Sequence, residues 1–317
     1  MSKDNPPKRV LCFGSLNIDH VYRVRATVRP GATIPSSNYS IFAGGKGGNQ
    51  SAALAHAGAR VWHGGRVGED GRWLLRGLED LGVDVGHVIV DPECPTGHAI
   101  IQVEDGGENA IFLFAGTNQE ISITQIETCL SDFHNGDILL LQNEISNIHH
   151  LLWAARERGM TVCLNPSPLT QDLAQIDLSA VDILVVNEGE AAGLSGRQEF
   201  HREDEESLLN ELANLLPGTG TVVMSLGARG AMLCEGSSTM HIAATSVDAM
   251  DTTAAGDTLI GYFLAGRAAG IDASSALRRA TAAAALCVTR VGARDSIPLA
   301  AEVDDFMGSY PNEQKQR

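Results

Sequence analysis

A regular alternation of short apolar runs with longer amphipathic segments is the feature that most constrains this fold. The apolar runs are rich in Val, Ile and Leu and are bounded by Gly, Asn or Asp, which is typical of buried strands. They cover residues 10–13, 137–142, 161–165, 182–187 and 221–226. Helices are predicted between them, at 49–57, 72–81, 148–158, 205–216 and 257–269. Because strands that alternate with helices build parallel sheets, the sequence predicts an α/β fold with a parallel-rich central sheet and helices on both faces.

Two segments, 17–43 and 96–117, depart from this alternation. Apolar and polar residues alternate in them with period two and no helix follows, which favours antiparallel strands. The stretch 103–109 contains Gly, Asp and Asn and predicts a hairpin turn within the second segment. We therefore expect a small antiparallel β lid inserted into a single α/β domain that spans 1–317, followed by a disordered tail at 310–317.

Charge and composition exclude several classes of function. The chain of 317 residues carries a formal net charge of −16, which argues against a nucleic-acid partner because the phosphate backbone would be repelled. The Ala-rich segment 280–288 is too short to span a bilayer, so no membrane partner is expected. The six cysteines form no C-x-x-C pair, and the first residues do not resemble a signal peptide. These features predict a reduced, cytoplasmic protein.

The stretch 251–257 (DTTAAGD) predicts an anion site. Small residues precede an acidic residue and an apolar helical pattern begins at once, so we expect free backbone N–H groups at a helix N-terminus, on Ala254, Ala255 and Gly256. Asp257 alone is explained equally well as a helix N-cap. A group of N–H donors beside a proton acceptor, however, is what transfer of a phosphoryl group to an alcohol requires. The combination favours a catalytic role.

Two further stretches offer contacts to a small ligand. Asn17 and Asp19 follow the first strand, at the edge where open α/β sheets bind ligands, and can clasp vicinal hydroxyls. Taken alone, they are explained more simply as a self-capping turn. The loop 43–50 (AGGKGGNQ) lacks the spacing of a Walker loop or of a dinucleotide fingerprint, but it lets the backbone approach a ligand, with Lys46 and Asn49 as donors. A flexible linker would not lead directly into a helix, so binding is the favoured interpretation.

Three other strand ends carry polar residues. Asn187 and Glu190 follow one buried strand and stand one helical turn apart, where they could hold water around a divalent ion. The stretch 225–230 (SLGARG) follows another strand, where it could line the phosphates and base of a nucleotide. Glu144 follows a third strand and could meet the substrate. Each of these signals is weak alone.

Together these stretches resemble the ribokinase-like sugar kinases of the phosphofructokinase-B type. The matching stretches are GSLNID at 14–19, GGKGGNQ at 44–50, NEGE at 187–190, SLGARG at 225–230, DTTAAGD at 251–257 and VTRVGARDS at 288–296. They follow the order and spacing of that family from about residue 10 to 306. DTTAAGD is the strong family signal, and lid stretches at 96–97, 106–109 and 115–118 most resemble the members that act on ribose.

The resemblance implies a role for each matching residue. Asp257 would take the proton from the primary hydroxyl of the sugar, while the amides of Ala254, Ala255 and Gly256 hold the charge of the transferring phosphoryl group. The sugar, besides meeting Asp257, would be bound by Asn17, Asp19, Gly45, Lys46, Asn49 and Glu144. ATP, besides meeting Gly256 and Asp257, would contact Asn187, Ser225, Leu226, Gly227, Ala228 and Gly230.

The resemblance also implies two cations. Glu190 would organise hydrated Mg²⁺ that accompanies ATP. An activating K⁺ would lie beside the anion site, held by Asp251, Thr253, Cys287, Arg290, Gly292 and Ser296. Arg290 can contribute only its carbonyl, because its guanidinium would repel a cation. Thr281 stands where such kinases often carry Asn or His near the adenine.

We therefore expect an ATP-dependent kinase that phosphorylates D-ribose at its 5-hydroxyl. Deoxyribose, a hexose or other sugar, and a nucleoside are the alternatives within the family, and a non-catalytic sugar-binding relative is the alternative outside it. Asn17 and Asp19 suit a polyhydroxylated sugar, and the intact Gly256 and Asp257 argue against a non-catalytic relative. The apolar residues of the lid predict that two lids pair in a homodimer, which the resemblance also implies.

Overall fold

The computed structural model describes residues 7–197 and 202–309. Its strands are β1 (Arg9–Phe13), β2 (Asn17–Val24), β3 (Asn38–Gly44), β4 (Arg60–Gly68), β5 (Asp84–Asp91), β6 (Gly97–Glu104), β7 (Asn109–Phe114), β8 (Ile138–Gln142), β9 (Thr161–Asn165), β10 (Ile183–Asn187), β11 (Thr221–Ser225), β12 (Ala231–Glu235) and β13 (Ser238–Ile242). Its α-helices are α1 (Lys46–His56), α2 (Arg72–Glu79), α3 (Ile123–Leu130), α4 (Ile148–Glu157), α5 (Glu188–Leu194), α6 (Glu205–Ala213), α7 (Ala255–Ala268), α8 (Ala273–Cys287) and α9 (Ala300–Ser309). None of these helices is both long and apolar enough to cross a membrane.

The larger sheet has nine strands in the order β13-β12-β11-β10-β9-β8-β1-β4-β5. Pairing is parallel from β11 to β5, and β12 and β13 continue the sheet as antiparallel strands. Two apolar clusters cover its faces: α1, α7 and α8 contribute Leu54, Phe263 and Leu277 to one, and α3, α4 and α6 contribute Ile126, Leu151 and Leu209 to the other. The prediction of a parallel-rich sheet with helices on both faces is confirmed.

The predicted strands and helices of this part of the chain are all present, with small differences at their ends. Two of them reach three residues: α6 ends at Ala213 rather than at 216, and α1 begins at Lys46, inside the glycine loop, rather than at 49. Gly47 packs here against β1, and a Cβ on it would lie 2.6 Å from the carbonyl carbon of Gly14. The glycines of the loop therefore have two effects: they allow α1 to approach β1 closely, and they allow the backbone of the loop to turn.

A smaller sheet contains the other four strands, in the order β3-β2-β6-β7. The hairpins β2/β3 and β6/β7 are antiparallel, and the predicted turn within 103–109 joins the second pair. The prediction of a purely antiparallel lid is wrong for the central pair, because β2 and β6 run parallel. They are joined by a long connection through β3, α1, β4, α2 and β5, which returns the chain in the same direction. The tail predicted at 310–317 lies outside the described residues.

Helices α1 and α7 pack unusually close together. A Cβ on Gly261 of α7 would lie 2.4 Å from the Cβ of Ala53 and 2.8 Å from the backbone N of Leu54 on α1. Only glycine at position 261 allows this close approach, and the two helices meet there through small residues. It brings the N-terminal turn of α7 beside the N-terminal turn of α1, where the predicted catalytic and sugar-binding stretches meet.

Candidate active site

The N-terminus of α7 begins after a residue in the left-handed region, because Ala254 has a φ of 60°. Its carbonyl accepts the N–H of Thr258 at 2.8 Å, which closes the first helical turn. The N–H of Ala255 donates to the carbonyl of Thr252 at 3.3 Å, so the prediction that it is free is wrong: the tight turn uses it. Ala254 and Gly256 line a cavity at this helix end, which carries the positive end of the helix dipole.

Asp257 lies in the first turn of α7, and amide groups hold both of its carboxylate oxygens. Asn49 donates its Nδ2 to Oδ2 at 3.1 Å, and Gln50 donates its Nε2 to Oδ1 at 2.9 Å. Asp257 therefore does not act as a simple N-cap: Ala254 holds that position, with no side-chain cap. Two neutral amide donors from α1 fix the carboxylate in place and leave lone pairs on its oxygens for a third donor.

A buried amide network stands behind this carboxylate, and the sequence did not reveal it. Gln50 is fully buried; its Nε2 also contacts the Oδ1 of Asn165 at 3.2 Å, and its Oε1 accepts the Nε2 of Gln142 at 2.7 Å. The bond from Gln142 fixes which end of the Gln50 amide faces Asp257. The sequence did contain an indication of this network, because Gln142 and Asn165 are polar residues at the carboxyl ends of apolar strands.

The predicted sugar residues gather beside Asp257, at the start of β2 and α1. Asn17 is buried, and its Oδ1 accepts the Nδ2 of Asn118 at 2.8 Å. Asn118 was not predicted as a site residue; its other contacts are to the backbone of Leu16, which fixes its orientation. Because its oxygen is occupied, Asn17 presents its amide N–H groups to a ligand.

Glu144 reaches the glycine loop from the end of β8. Its Oε2 accepts the backbone N–H of Lys46 at 3.1 Å and a short hydrogen bond from the hydroxyl of Ser15. Lys46 also lines the cavity at the start of α7, while Gly45 is the N-cap of α1 with a φ of 85°. The structure thus brings the predicted sugar residues Gly45, Lys46 and Glu144 together.

Asp19 has an unusual electrostatic environment. Burial, reinforced by the nearby charge of Glu144, raises the pKa of Asp19 to about 7, and the charge of Arg294 opposes this shift. Arg294 lies in the predicted stretch 288–296 but was not singled out there. Asp19 therefore titrates near neutral pH, at a position expected to bind sugar hydroxyls.

Two cavities meet at the start of α7. The first, of about 210 Å³, is lined by Lys46, Asn187 and Glu190 together with residues around Asp257. The second, of about 340 Å³, has apolar walls from α8 and from the segment 244–249. Both are lined by Ser225, Gly256 and Leu259. A ligand could therefore extend from an apolar pocket into a polar one past the end of the helix.

The predicted nucleotide loop lies along the second cavity. Gly227, Ala228 and Gly230 line it, and Ser225 lines both cavities. Leu226 is buried in the core and lines neither cavity, so its predicted contact with ATP could use only backbone atoms. Thr281 also lines the second cavity, but its hydroxyl donates to the carbonyl of Leu277 at 2.8 Å. Only its lone pairs are left for an adenine.

Asn187 and Glu190 form a reciprocal cap on α5. The Oδ1 of Asn187 accepts the N–H of Glu190 at 2.8 Å, and the Oε2 of Glu190 accepts the N–H of Asn187 at 3.0 Å. Both side chains line the first cavity as well. The cap occupies one oxygen of each and leaves the amide N–H groups of Asn187 and the second oxygen of Glu190 for ligands, which fits a hydrated divalent ion.

The residues predicted to hold K⁺ lie on two neighbouring loops. Asp251 joins the loops, accepting the N–H and hydroxyl of Thr253 at 2.9 and 2.6 Å and the N–H of Gly292 at 2.9 Å. Burial raises the pKa of Asp251, but these hydrogen bonds outweigh burial and hold the pKa below its usual value. One carboxylate among neutral oxygens suits a monovalent cation, and the carboxylate retains lone pairs for it.

The remaining members of this set lie beside the same loops. The thiol of Cys287 and the hydroxyl of Ser296 are 3.1 Å apart, and the thiol also faces the carbonyl of Thr253 at 3.8 Å. The guanidinium of Arg290 is paired with Glu302 at 2.6 Å. The charge of the Arg290 guanidinium is therefore neutralised by Glu302. The backbone carbonyl of Arg290 is the only group of this residue that can bind a cation.

The chain is similar to carbohydrate kinases along nearly its whole length. The family described as pfkB family carbohydrate kinase matches residues 7–300. A ribokinase of Haemophilus influenzae is 35% identical over 306 residues, covering 95% of this chain and 98% of the relative. A deoxyribokinase of Salmonella typhi is 26% identical over 302 residues, covering 94% and 98%.

Solved structures agree with this similarity. The ribokinase from Cryptococcus neoformans in complex with ADP superposes with a TM-score of 0.83 at 32% identity, covering 94% of this chain and 99% of that one. The Arabidopsis thaliana ribokinase complexed with ribose and ATP gives a TM-score of 0.82 at 29% identity, covering 96% and 99%. The fold is therefore that of the ribokinase-like kinases.

Proposed function

The chain belongs to the pfkB family of carbohydrate kinases, and we propose that it transfers the γ-phosphate of ATP to the 5-hydroxyl of D-ribose. Membership makes it a phosphotransferase with an alcohol group as acceptor. The observation that carries the proposal is the meeting of two cavities at Gly256, beside the carboxylate of Asp257. The apolar cavity suits the base of ATP and the polar one its phosphates, and Asn49, one of the proposed sugar-binding residues, contacts Asp257 directly.

Asp257 is the proposed proton acceptor. Two amide donors from α1 hold its carboxylate in a fixed position. Phosphoryl transfer through a loose transition state needs no early deprotonation of the alcohol, so a weak base suffices. As the sugar oxygen bonds to the γ-phosphorus and the bond to the ADP oxygen breaks, the hydroxyl proton moves to Asp257.

Most of the rate enhancement would come from positioning and from charge neutralisation. The backbone N–H groups at the start of α7, on Ala254 and Gly256, would stabilise the transferring group, and the dipole of the helix favours the same charge. Mg²⁺ bound with ATP would neutralise phosphate oxygens, and Glu190 is the residue we expect to orient its water ligands. Water itself must be excluded because it competes with the sugar, and we assign this role to the smaller sheet.

Asn17 and Asp19 are the proposed determinants of sugar choice. Asn17 offers N–H groups, and an ionised Asp19 offers oxygens to two vicinal hydroxyls, so the pair suits a sugar that carries both. A deoxy sugar would leave one of these partly buried groups without a partner, which costs affinity. The similarity to a deoxyribokinase at 26% identity supports deoxyribose as the second candidate.

A monovalent cation is the proposed activator, and K⁺ the ion we expect. Asp251 and the carbonyls of Thr253, Cys287 and Gly292 would hold it, with Ser296 nearby. Since these loops lead directly into Ala254, a cation there would fix the turn that forms the N-terminus of α7 and would add positive potential near the phosphates.

We propose a homodimer formed through the smaller sheet. Its edge strand β7 exposes large apolar side chains: Ile111 is 55% exposed and Phe112 65% exposed. Neighbouring Leu113 and Phe114 are exposed as well, so apolar groups stand on both faces of the strand. One face can close over the sugar while the other pairs with a second copy. A light-scattering mass equal to one chain would contradict the dimer.

An assay of ADP release tests the choice of acceptor. The chain would be given ATP and Mg²⁺ with D-ribose, 2-deoxy-D-ribose, hexoses and adenosine in parallel. We expect kcat/KM for D-ribose to exceed that for deoxyribose about tenfold or more, because one buried polar contact is lost. A higher kcat/KM for any other acceptor would replace ribose in the proposal.

We place the activity in the cytoplasm, where free thiols such as those of the six cysteines stay reduced.

A further inference from the structure

A third cavity lies between the edge strand β3 and the helices α1 and α2. Its volume is about 490 Å³, and it shares no lining residue with the two cavities at α7. Much of its wall is apolar, with Ile41 and Phe42 from β3 and Trp73 from α2. Its polar part consists of two charged residues, Arg294 and Asp295, and of His56. This combination is that of a binding site for a small amphipathic molecule.

Arg294 is the unusual member of this wall. It is 9% exposed, and its Nε and Nη2 atoms have no hydrogen-bond partner within the described ranges 7–197 and 202–309. Burying a charge without a partner is costly, and a buried guanidinium normally has one. The carboxylates of Asp295 and Asp19 act on the charge of Arg294 only through space, so the hydrogen-bonding capacity of the guanidinium is left for a ligand.

The guanidinium of Arg294 occupies a slot between two helices. Its Nη2 lies 2.4 Å from the point where a Cβ of Gly48 would stand, and its Nη1 lies 3.7 Å from the corresponding point at Gly77. Any larger residue at Gly48 would displace it, so the slot depends on glycine. Gly77 also lines the cavity, which puts the Nη1 side of the guanidinium at the cavity wall.

We propose that this cavity binds a small organic carboxylate with an apolar or aromatic body, held through its carboxylate by Arg294. Arginine is the side chain best suited to carboxylates, and here it is already desolvated and held in place. A single cation compensates a single negative charge, and the exposed Asp295 repels a second one, which favours a carboxylate over a phosphate dianion. The apolar wall takes up the body of the ligand.

Benzoate is the probe that tests the proposal, with three comparison compounds. Benzamide has the same shape without the charge, acetate has the charge without the ring, and phenyl phosphate carries a second charge. Binding would be followed by tryptophan fluorescence, since Trp73 lines the cavity, and by thermal unfolding. The full chain would be saturated with Mg²⁺, ADP and ribose, so that no anion can act through the site at α7.

We expect benzoate to bind at least about tenfold more tightly than benzamide, because one charge-assisted hydrogen bond separates them. Acetate and phenyl phosphate should both bind more weakly than benzoate. Equal binding of benzoate and benzamide would overturn the proposal, as would benzoate binding that appears only above about 100 mM, a free energy too small for a built site.

Two variants separate the charge from the cavity. Arg294→Gln should abolish the preference for benzoate over benzamide, because the charge that distinguishes the two compounds is removed. Arg72→Gln is the matched control: Arg72 is exposed and paired with Glu69, so benzoate binding should be unchanged. If Arg294→Gln retained the preference, or Arg72→Gln lost it, Arg294 would not be the anchor.

Gly77→Leu is the complementary variant, because it keeps the guanidinium of Arg294 and places a side chain in the cavity. A Cβ at position 77 would have no heavy atom closer than 3.7 Å, so the variant should fold. Benzoate binding should be lost in Gly77→Leu even though the charge is intact. Retained binding would show that the ligand lies elsewhere, and this result decides the question even if Arg294→Gln does not fold.

Discussion

Gln50 provides the sharpest test of how Asp257, the proposed catalytic carboxylate, is held. It is fully buried, donates to Asp257 at 2.9 Å and is itself fixed by Gln142 at 2.7 Å. Gln50→Leu removes the donor and nearly preserves the volume. If Gln50 acts by positioning Asp257, the change should reduce turnover and leave sugar binding almost unaltered, since its side-chain hydrogen bonds go to Asp257, Asn165 and Gln142 and not to Asn17, Asp19 or Glu144.

The size of the effect follows from the bond that is lost. A hydrogen bond to a charged group contributes about 1.5–3 kcal/mol, which corresponds to a fall of about 10- to 150-fold in kcat. The variant also leaves the amide of Gln142 and the Oδ1 of Asn165 without this partner, which costs about 1–3 kcal/mol of stability for each. The fold should survive both losses, because the apolar clusters on either side are untouched.

Gln125→Leu is the matched control for this experiment. Gln125 is also a buried glutamine, donates its Nε2 to the carbonyl of Gly65 at 2.6 Å and lies on α3, on the other face of the sheet from α7. Its loss should lower the melting temperature to a similar extent and leave kcat unchanged. Steady-state assays would give kcat and KM for both variants, and thermal unfolding would report their stability.

Two outcomes would refute the reasoning about Gln50. The first is a folded Gln50→Leu enzyme with the kcat of the unaltered chain, because the donor would then be irrelevant to Asp257. The second is an equal loss of kcat in Gln125→Leu, because the effect would then follow stability rather than position. A rise in KM for the sugar without a fall in kcat would instead assign Gln50 to binding.

Three other predictions test the proposed roles of the site. Asp257→Asn should lower kcat about 10²- to 10⁴-fold with KM for ribose changed only a few-fold, and a coupled assay that finds full turnover would remove Asp257 as the base. KM for ribose should rise about tenfold per pH unit below about pH 7, since Asp19 has a pKa of about 7 and loses its charge as the pH falls. Glu144→Gln removes the like charge and should move this rise to lower pH; a pH-independent KM would count against Asp19. Activity in Na⁺ alone should be several-fold below that in K⁺, and Asp251→Asn should erase the difference, whereas equal rates in both salts would exclude the cation site.

The local pattern of the sequence predicted most elements of the fold because strand and helix periodicities are local properties. The strand β9 (Thr161–Asn165), for example, lies where the apolar run 161–165 predicted it. The direction of β2 against β6 was not predictable in this way, because period two is the same for both directions. Direction is set by the crossover between the two strands, which depends on how the rest of the chain packs.

The site was predictable where a contact lies within one motif and not where it joins distant ones. Asp257 and its helix end stand in one short stretch, whereas its partner Gln50 is 207 residues away. Likewise Arg294 stands in a stretch that the family resemblance already marked, but its burial depends on a slot formed by Gly48 and Gly77. Such contacts follow from the packing of α1 against other elements, which no sequence window contains.

Strand order in the larger sheet explains why the residues proposed for sugar binding, nucleotide binding and catalysis meet near the start of α7. The neighbouring strands β1, β8, β9, β10 and β11 run parallel, so their carboxyl ends form one edge. Polar residues follow this edge in the same order: Asn17 and Glu144 on the sugar side, Asn165 in the centre, Asn187 and Ser225 on the nucleotide side. Asp257 is tied to the centre because Gln50 contacts both it and Asn165. Under the proposed assignment, a phosphoryl group that moves from the nucleotide residues to the sugar residues along this edge passes Asp257.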